Sequence, residues 1–134
     1  MRVIVCVDDN MGMLFNKRRQ SRDKNLIEDV MKRIETLKIH SFSEKLFEEY
    51  SEQIEIDDNL LKNAQLGEVC FVENQHLTPY IKNIEELIIY RWNRLYPSDF
   101  KLDIDLATWK MTSQEEFAGN SHEKITRETY VRVV

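Results

Sequence analysis

Arg2-Val3-Ile4-Val5-Cys6-Val7-Asp8 opens with an unbroken, β-branched-rich run and stops at paired carboxylates, Asp8 and Asp9. A strand with one wet face alternates apolar and polar residues. A run apolar at every position needs cover on both faces, as in a parallel sheet flanked by helices. Val69-Cys70-Phe71-Val72 and Leu87-Ile88-Ile89-Tyr90 repeat the pattern. Between the first and second runs, Leu26, Ile27, Val30, Met31, Ile34 and Leu37 recur at helical spacing, with Lys24, Asn25, Glu28, Asp29, Lys32 and Arg33 on the other face. Ser21 is the expected N-cap of that helix, and Asp23 a first-turn acid facing its dipole.

Shorter elements fill the gaps. Leu37 to Phe42 reads as a strand, Ser43 as the cap of a helix over Glu44 to Tyr50, and Ile54 to Ile56 as extended chain. A short helix from Asn59 is expected to end at Gly67, and Thr78-Pro79 to start another reaching Ile84. Residues 106–114 and 124–133 read as two longer strands. In the second, Ile125, Thr129, Val131 and Val133 alternate with Lys124, Thr126, Glu128, Tyr130 and Arg132, the pattern of an edge or antiparallel strand with one wet face. Strand–helix units followed by a hairpin predict a three-layer α/β fold, a mostly parallel sheet with an antiparallel C-terminal hairpin edge. The 134 residues contain no linker or repeat, so residues 1–134 are expected to form a single domain.

Composition excludes several classes. The net charge of −5 gives no global reason to bind nucleic acid, so any basic patch must be local. No apolar stretch is long enough to span a bilayer and no cleavable leader is visible, so no membrane partner is expected. Cys6 and Cys70 lie inside apolar runs and read as free thiols of a reducing compartment, hence a cytoplasmic protein. His40, His76 and His122 form no close pair and Cys-x-x-Cys is missing, so no metal is expected. Asp8, Asp9 and Glu73 are too scattered to argue for Mg²⁺. Glycine-rich phosphate loops and a Gly-x-Ser-x-Gly elbow are also missing.

Ligands of open α/β sheets bind beyond the C-terminal ends of the parallel strands. That rim takes Asp8 to Asn10, His40 and Ser41, Glu73 to Gln75, and Arg91 to Arg94, with the loop Asn16 to Asp23 over one end. Arg18, Arg19 and Arg22 are either a solvated face or an anion site. Asp23 is either a helix-start acid or a general acid. Trp92 either packs in the core or stacks a planar ring. His122 belongs to an exposed turn or to acid–base chemistry.

Arg2 to Met13 resembles the opening strand and loop of the dihydrofolate reductases. Glu68 to Val72, the short helix after it, and Ile84 to Tyr90 resemble that family's cofactor-side strand, helix and following strand. Asp99 to Trp109, Glu115 to Phe117, and Thr129 to Val133 resemble its closing hairpin. The likeness covers about two thirds of the chain and is one of order and pattern. It implies a trimmed version of that fold, with a strand and a helix shortened through residues 43–67.

The departures fall on the family's ligand contacts. Its glycine pair after the strand ending here at Val72 lets the dinucleotide pyrophosphate approach, and this chain has Glu73-Asn74. Its Gly-Arg-x-Thr reads His40-Ser41-Phe42-Ser43, and its Leu-Pro-Trp loop reads Phe15 to Gln20. Asp23 lies near the family's active-site acid. The expectation is a diverged scaffold with no nicotinamide cofactor and no NADPH-dependent activity. It would bind an anionic small molecule, a nucleotide or a protein partner at a rim of Arg18, Arg19, Gln20, Arg22, Glu73, Asn74, Arg91 and Asn93. Asp23 and His122 are the catalytic candidates. The alternatives are an RNA or phosphoester hydrolase without the zinc enzymes' histidine cluster, and, ranked last, a reductase with an altered substrate.

Overall fold

The structure, a computed structural model, describes residues 1–133. Its main sheet has seven strands: β1 (Arg2–Val7), β4 (Leu37–Ile39), β5 (Ile54–Ile56), β6 (Val69–Phe71), β7 (Glu86–Arg91), β9 (Trp109–Phe117) and β10 (Ile125–Arg132). The order is β5-β4-β6-β1-β7-β10-β9. Pairings from β5 to β7 are parallel, and β10 runs antiparallel to both β7 and β9.

The central run behaves as its composition requires. Val3, Val5 and Val7 face one side of β1 and pack with Cys70, Leu87 and Ile89. Ile4 faces the other side, among Leu26, Val30, Phe71 and Tyr90. The register sets Val3 beside Leu87 and Ile4 beside Ile88, so the two faces stay matched across the pair. Helix α1 (Lys24–Met31) and the 3-10 segment Ser41–Gln53 cover one face. Helix α2 (Leu60–Asn63), Leu77 and Ile84 cover the other. No helix among the described residues is long and apolar enough to cross a membrane.

Several boundaries differ from the sequence reading. Asp23, rather than Ser21, is the N-cap of α1, and the helix stops at Met31, leaving Leu37 to open β4. Residues 41–53 form a kinked 3-10 segment capped by the His40 ring, whose Nδ1 accepts from the Phe42 N–H at 2.9 Å. Ser43 is turned inward instead. Helix α2 ends at Asn63, and Gly67 (φ +82°) serves the turn into β6. Leu106–Thr108 is a 3-10 turn, so β9 starts later than expected.

Strand β10 is antiparallel, one of the two placements its alternation allowed, and it lies inside the sheet with β9 at the edge. The face expected to be wet is closed at Thr126 and Glu128, and the opposite face carries Arg127 beside Ile125. Thr126, Arg127 and Glu128 are buried. Arg127 bonds Asp29 of α1 and Glu115 of β9, each at 2.6 Å, and the Tyr90 hydroxyl donates to Asp29 at 2.6 Å. Glu128 accepts from Arg91 at 2.6 Å and from Tyr130 at 2.8 Å.

A small second sheet was not anticipated. Strand β2 (Gly12–Phe15) pairs with β3 (Arg18–Arg19) and β8 (Phe100–Lys101). Asn16 (φ +50°) and Lys17 (φ +60°) form its two-residue turn, both left-handed as a type I′ hairpin demands. This hairpin fixes the loop that enters α1, and with it the site below.

Candidate functional site

The loop Gln20–Asp23 joins β3 to α1 and carries the best-organised polar cluster. Asp23 is buried, and its Oδ1 accepts from the N–H groups of Asn25 (2.9 Å) and Leu26 (3.3 Å), capping the helix. The same carboxylate accepts from the Asn120 N–H at 2.9 Å and the Ser121 N–H at 2.8 Å. His122 Nδ1 lies 3.0 Å from Asp23 Oδ2. Burial pushes this carboxyl up, but the Asn120 N–H, the His122 ring and the Ser121 and Leu26 N–H groups outweigh it and hold it at about 2. Gly119 makes the wrap possible: a Cβ there would sit 2.6 Å from both Asp23 Oδ2 and the His122 carbonyl.

Ionised Asp23 can only accept, so a proton on His122 Nδ1 faces it, and the tautomer this selects has its lone pair on Nε2. Trp92 holds the ring by stacking, centroids 4.7 Å apart at 26°. Two hydroxyls reach Nε2, Tyr96 at 2.8 Å and Ser21 at 3.2 Å, and the Tyr96 O–H donates to Ser21 Oγ at 3.3 Å. The result is a carboxylate–imidazole–hydroxyl relay whose outer member, Ser21, is only half-buried.

A second cluster lies at the end of β6. Glu73 is buried and takes both Arg19 Nε (2.5 Å) and Nη2 (2.6 Å), with Ser43 Oγ donating at 2.6 Å. The Arg19 guanidinium lies 5.6 Å from the Phe42 ring centroid. Burial first, then the Glu73 carboxylate, pushes the Cys6 thiol well above its ordinary value, so it is a poor nucleophile.

The sequence-predicted residues do not converge on one pocket. Arg18, Arg19 and Arg22 line a groove of about 560 Å³ with Lys17, Ser21, Ser41, Phe42, Glu44 and Lys45. Asn93 borders a separate groove of about 760 Å³ with mixed charges, among them Arg94, Glu116, Glu123 and Lys124. There its side chain donates to the Lys124 carbonyl at 3.1 Å and Thr126 Oγ1 at 2.9 Å. Arg91 is held by Glu128, and Gln20 donates to Asp8 Oδ2 at 3.2 Å and the Pro97 carbonyl at 3.1 Å. Asn74 Oδ1 and Gln20 Oε1 are buried with no partner. Asp8 also accepts from the N–H groups of Asn10, Gly12 and Tyr96. Among the described residues no group of three or more His, Cys, Asp or Glu side chains could hold a metal ion.

Asp23 and His122 meet although 99 residues apart, and sequence reasoning missed how. Tyr96, Lys45 and Gly119 were also missed, and Ser43 was read as a helix cap. The one usable signal was Gly119-Asn120-Ser121-His122, a glycine-led polar turn ending on a histidine.

No family model matches the chain, and no curated protein matches it. Among solved structures, a dihydrofolate reductase from Enterococcus faecalis complexed with NADP(H) and RAB-propyl aligns at a TM-score of 0.67 and 13% identity, over 99% of this chain and 96% of that one. At that identity the likeness speaks for the backbone and leaves the ligand open. With its mostly parallel sheet closed by an antiparallel hairpin, the chain has the fold of the dihydrofolate reductases.

Proposed function

We propose that this chain uses the reductase scaffold without a nicotinamide site, and binds an anionic small molecule or nucleotide in the groove between the β2–β3 hairpin and the segment starting at Ser41. One observation carries the reading. Lys17, Arg18, Arg22 and Lys45 are exposed around that groove, and among the described residues none has a carboxylate oxygen within 4.0 Å. The protein carries net charge −5, so these four cations, against one lining carboxylate, Glu44, reverse the sign of charge locally. Arginine forks match phosphate and carboxylate oxygens in pairs. Glu73, held by Arg19 and Ser43, supports the loss of the cofactor seat, because its side chain fills the region where the family keeps glycines.

Isothermal titration with inorganic pyrophosphate tests this. Saturable binding is expected, weakened at least about tenfold in an Arg18→Ala/Arg22→Ala double variant, since each charge-assisted contact contributes about 1.5–3 kcal/mol. Unchanged binding in the double variant refutes the groove.

A hydrolytic reading, on RNA or another phosphoester without metal, is favoured by the Asp23–His122 pair, which turns Nε2 toward the Ser21 and Tyr96 hydroxyls as a base. Incubation with RNA, with and without chelator, is expected to give chelator-resistant cleavage that His122→Gln abolishes. No cleavage in either condition removes this reading as it concerns RNA.

A further inference from the structure

We propose that Ser21 is a nucleophile, activated by His122 and oriented by Asp23, and that its substrate is a phosphodiester held by the basic groove. The inference deepens the hydrolytic reading and rests on it. What that reading lacks is an attacking group in the groove, and Ser21 is both a wall of the groove and a hydrogen-bond partner of the imidazole.

The geometry satisfies the requirements of an activated hydroxyl one at a time. The base is 3.2 Å from Ser21 Oγ, within reach for proton transfer. The base is itself fixed, by Asp23 on Nδ1 and by Trp92 on its face. Tyr96 competes for Nε2 but also donates to Ser21 Oγ, and when it does so the Ser21 O–H is directed onto Nε2. The electrophile's charge has a seat: Arg18, Arg22 and Lys45 line the groove with Ser21, and among the described residues none of the three has a carboxylate oxygen within 4.0 Å, although Glu44 lines the groove too. Developing charge on a phosphorane is what unpaired guanidinium groups stabilise. A carboxylic ester would have no use for that concentration of cations. The cluster's structural duty of clamping residues 118–122 to the start of α1 is fulfilled by Asp23 through backbone N–H groups, by the Ser121 hydroxyl on the Arg22 carbonyl and by Asn25 on the Ala118 carbonyl. It does not require a hydroxyl on the far side of the ring.

The step balances with water as the sole co-reactant. Ser21 Oγ bonds to phosphorus, its proton passes to His122 Nε2, the bond from phosphorus to the leaving oxygen breaks, and that oxygen takes the proton as an alcohol. Water then attacks the Ser21 phosphodiester, giving its proton to Nε2. The Oγ–P bond breaks and Ser21 recovers the proton. The products are a phosphomonoester and an alcohol. Ser21 and His122 are the catalytic residues, and Asp23 is a positioning residue.

The test uses the full chain and bis(4-nitrophenyl) phosphate, with 4-nitrophenyl acetate as the comparison ester. The wild-type protein is expected to release 4-nitrophenolate from the phosphodiester, and peptide mapping is expected to find the phosphoryl adduct on Ser21. Ser21→Ala should lose at least about 100-fold in rate, in line with removal of a catalytic group. Ser21→Thr, which keeps a hydroxyl, should retain part of it. The wild-type adduct map decides the question even if Ser21→Ala fails to fold. An adduct on Tyr96, a rate unchanged in folded Ser21→Ala, turnover confined to the acetate, or no release and no adduct would each overturn the proposal. Pyrophosphate binding measured on the same sample separates this failure from failure of the groove, and RNA cleavage dependent on His122 but not on Ser21 separates it from failure of the hydrolytic reading.

Discussion

Asp23 shows how one side chain can join two distant parts of the chain. It caps α1 and holds the Asn120–His122 turn, and its depressed pKa ties those contacts to pH. A carboxyl held at about 2 when folded, against about 3.8 ordinarily, contributes stability that is fully present above the unfolded value. That contribution is lost as pH falls from about 4 to about 2, and it is on the order of 1–2 kcal/mol after solvent screening. Denaturant melts across this window should show the loss in wild-type protein and a flatter profile in Asp23→Asn. At Gly119, alanine would press its Cβ against Asp23 Oδ2 and the His122 carbonyl. Gly119→Ala is expected to cost about 1–3 kcal/mol in chemical denaturation, and to weaken Ser21 reactivity by moving the ring. The sequence showed Asp23 as a helix-start acid because capping is local. It could not show His122 as its partner, because a contact across the whole fold leaves no trace in spacing. Arg19 and Glu73 were legible as a basic loop and a misplaced acid, and their mutual pairing was hidden for the same reason.

At the scale of elements, burial on both faces was readable and burial by ion pairing was not. The runs at residues 3–7, 69–72 and 87–90 announce parallel strands because every position is apolar. Strand β10 reads as half wet because Lys124, Thr126, Glu128, Tyr130 and Arg132 alternate with the other positions, and only the fold supplies Arg91 to neutralise Glu128, and Asp29 and Glu115 to neutralise Arg127 on the opposite face. Arg127→Ala should therefore cost about 1.5–3 kcal/mol, since Asp29 loses a charge-assisted bond while keeping Lys32 and the Tyr90 hydroxyl. A double-mutant cycle with Asp29→Asn should recover part of that cost. Leu26→Ala, in the apolar stripe of α1, is expected to cost about 2–5 kcal/mol as an ordinary cavity. The small β3-β2-β8 sheet escaped detection because its strands are two to four residues long and partly polar. It matters all the same, because its hairpin presents Lys17 and Arg18 to the groove.

For the whole molecule, the backbone of the dihydrofolate reductase fold is kept at 13% identity, and the proposal is that its dinucleotide seat is not. Glu73 is buried against Arg19 at the end of β6, and Lys17, Arg18, Arg22 and Lys45 line a groove on the hairpin side with Glu44. Charge of this kind acts at a distance, so anion binding in the groove should weaken as salt rises past the physiological range. Fluorescence titrations of NADPH and ADP, side by side in the same buffer, separate an anion groove from a dinucleotide seat. NADPH is expected to bind no tighter than ADP, and both to weaken together in Arg18→Ala/Arg22→Ala. Tight, saturable NADPH binding that ADP does not match and the double variant does not disturb would refute the proposal.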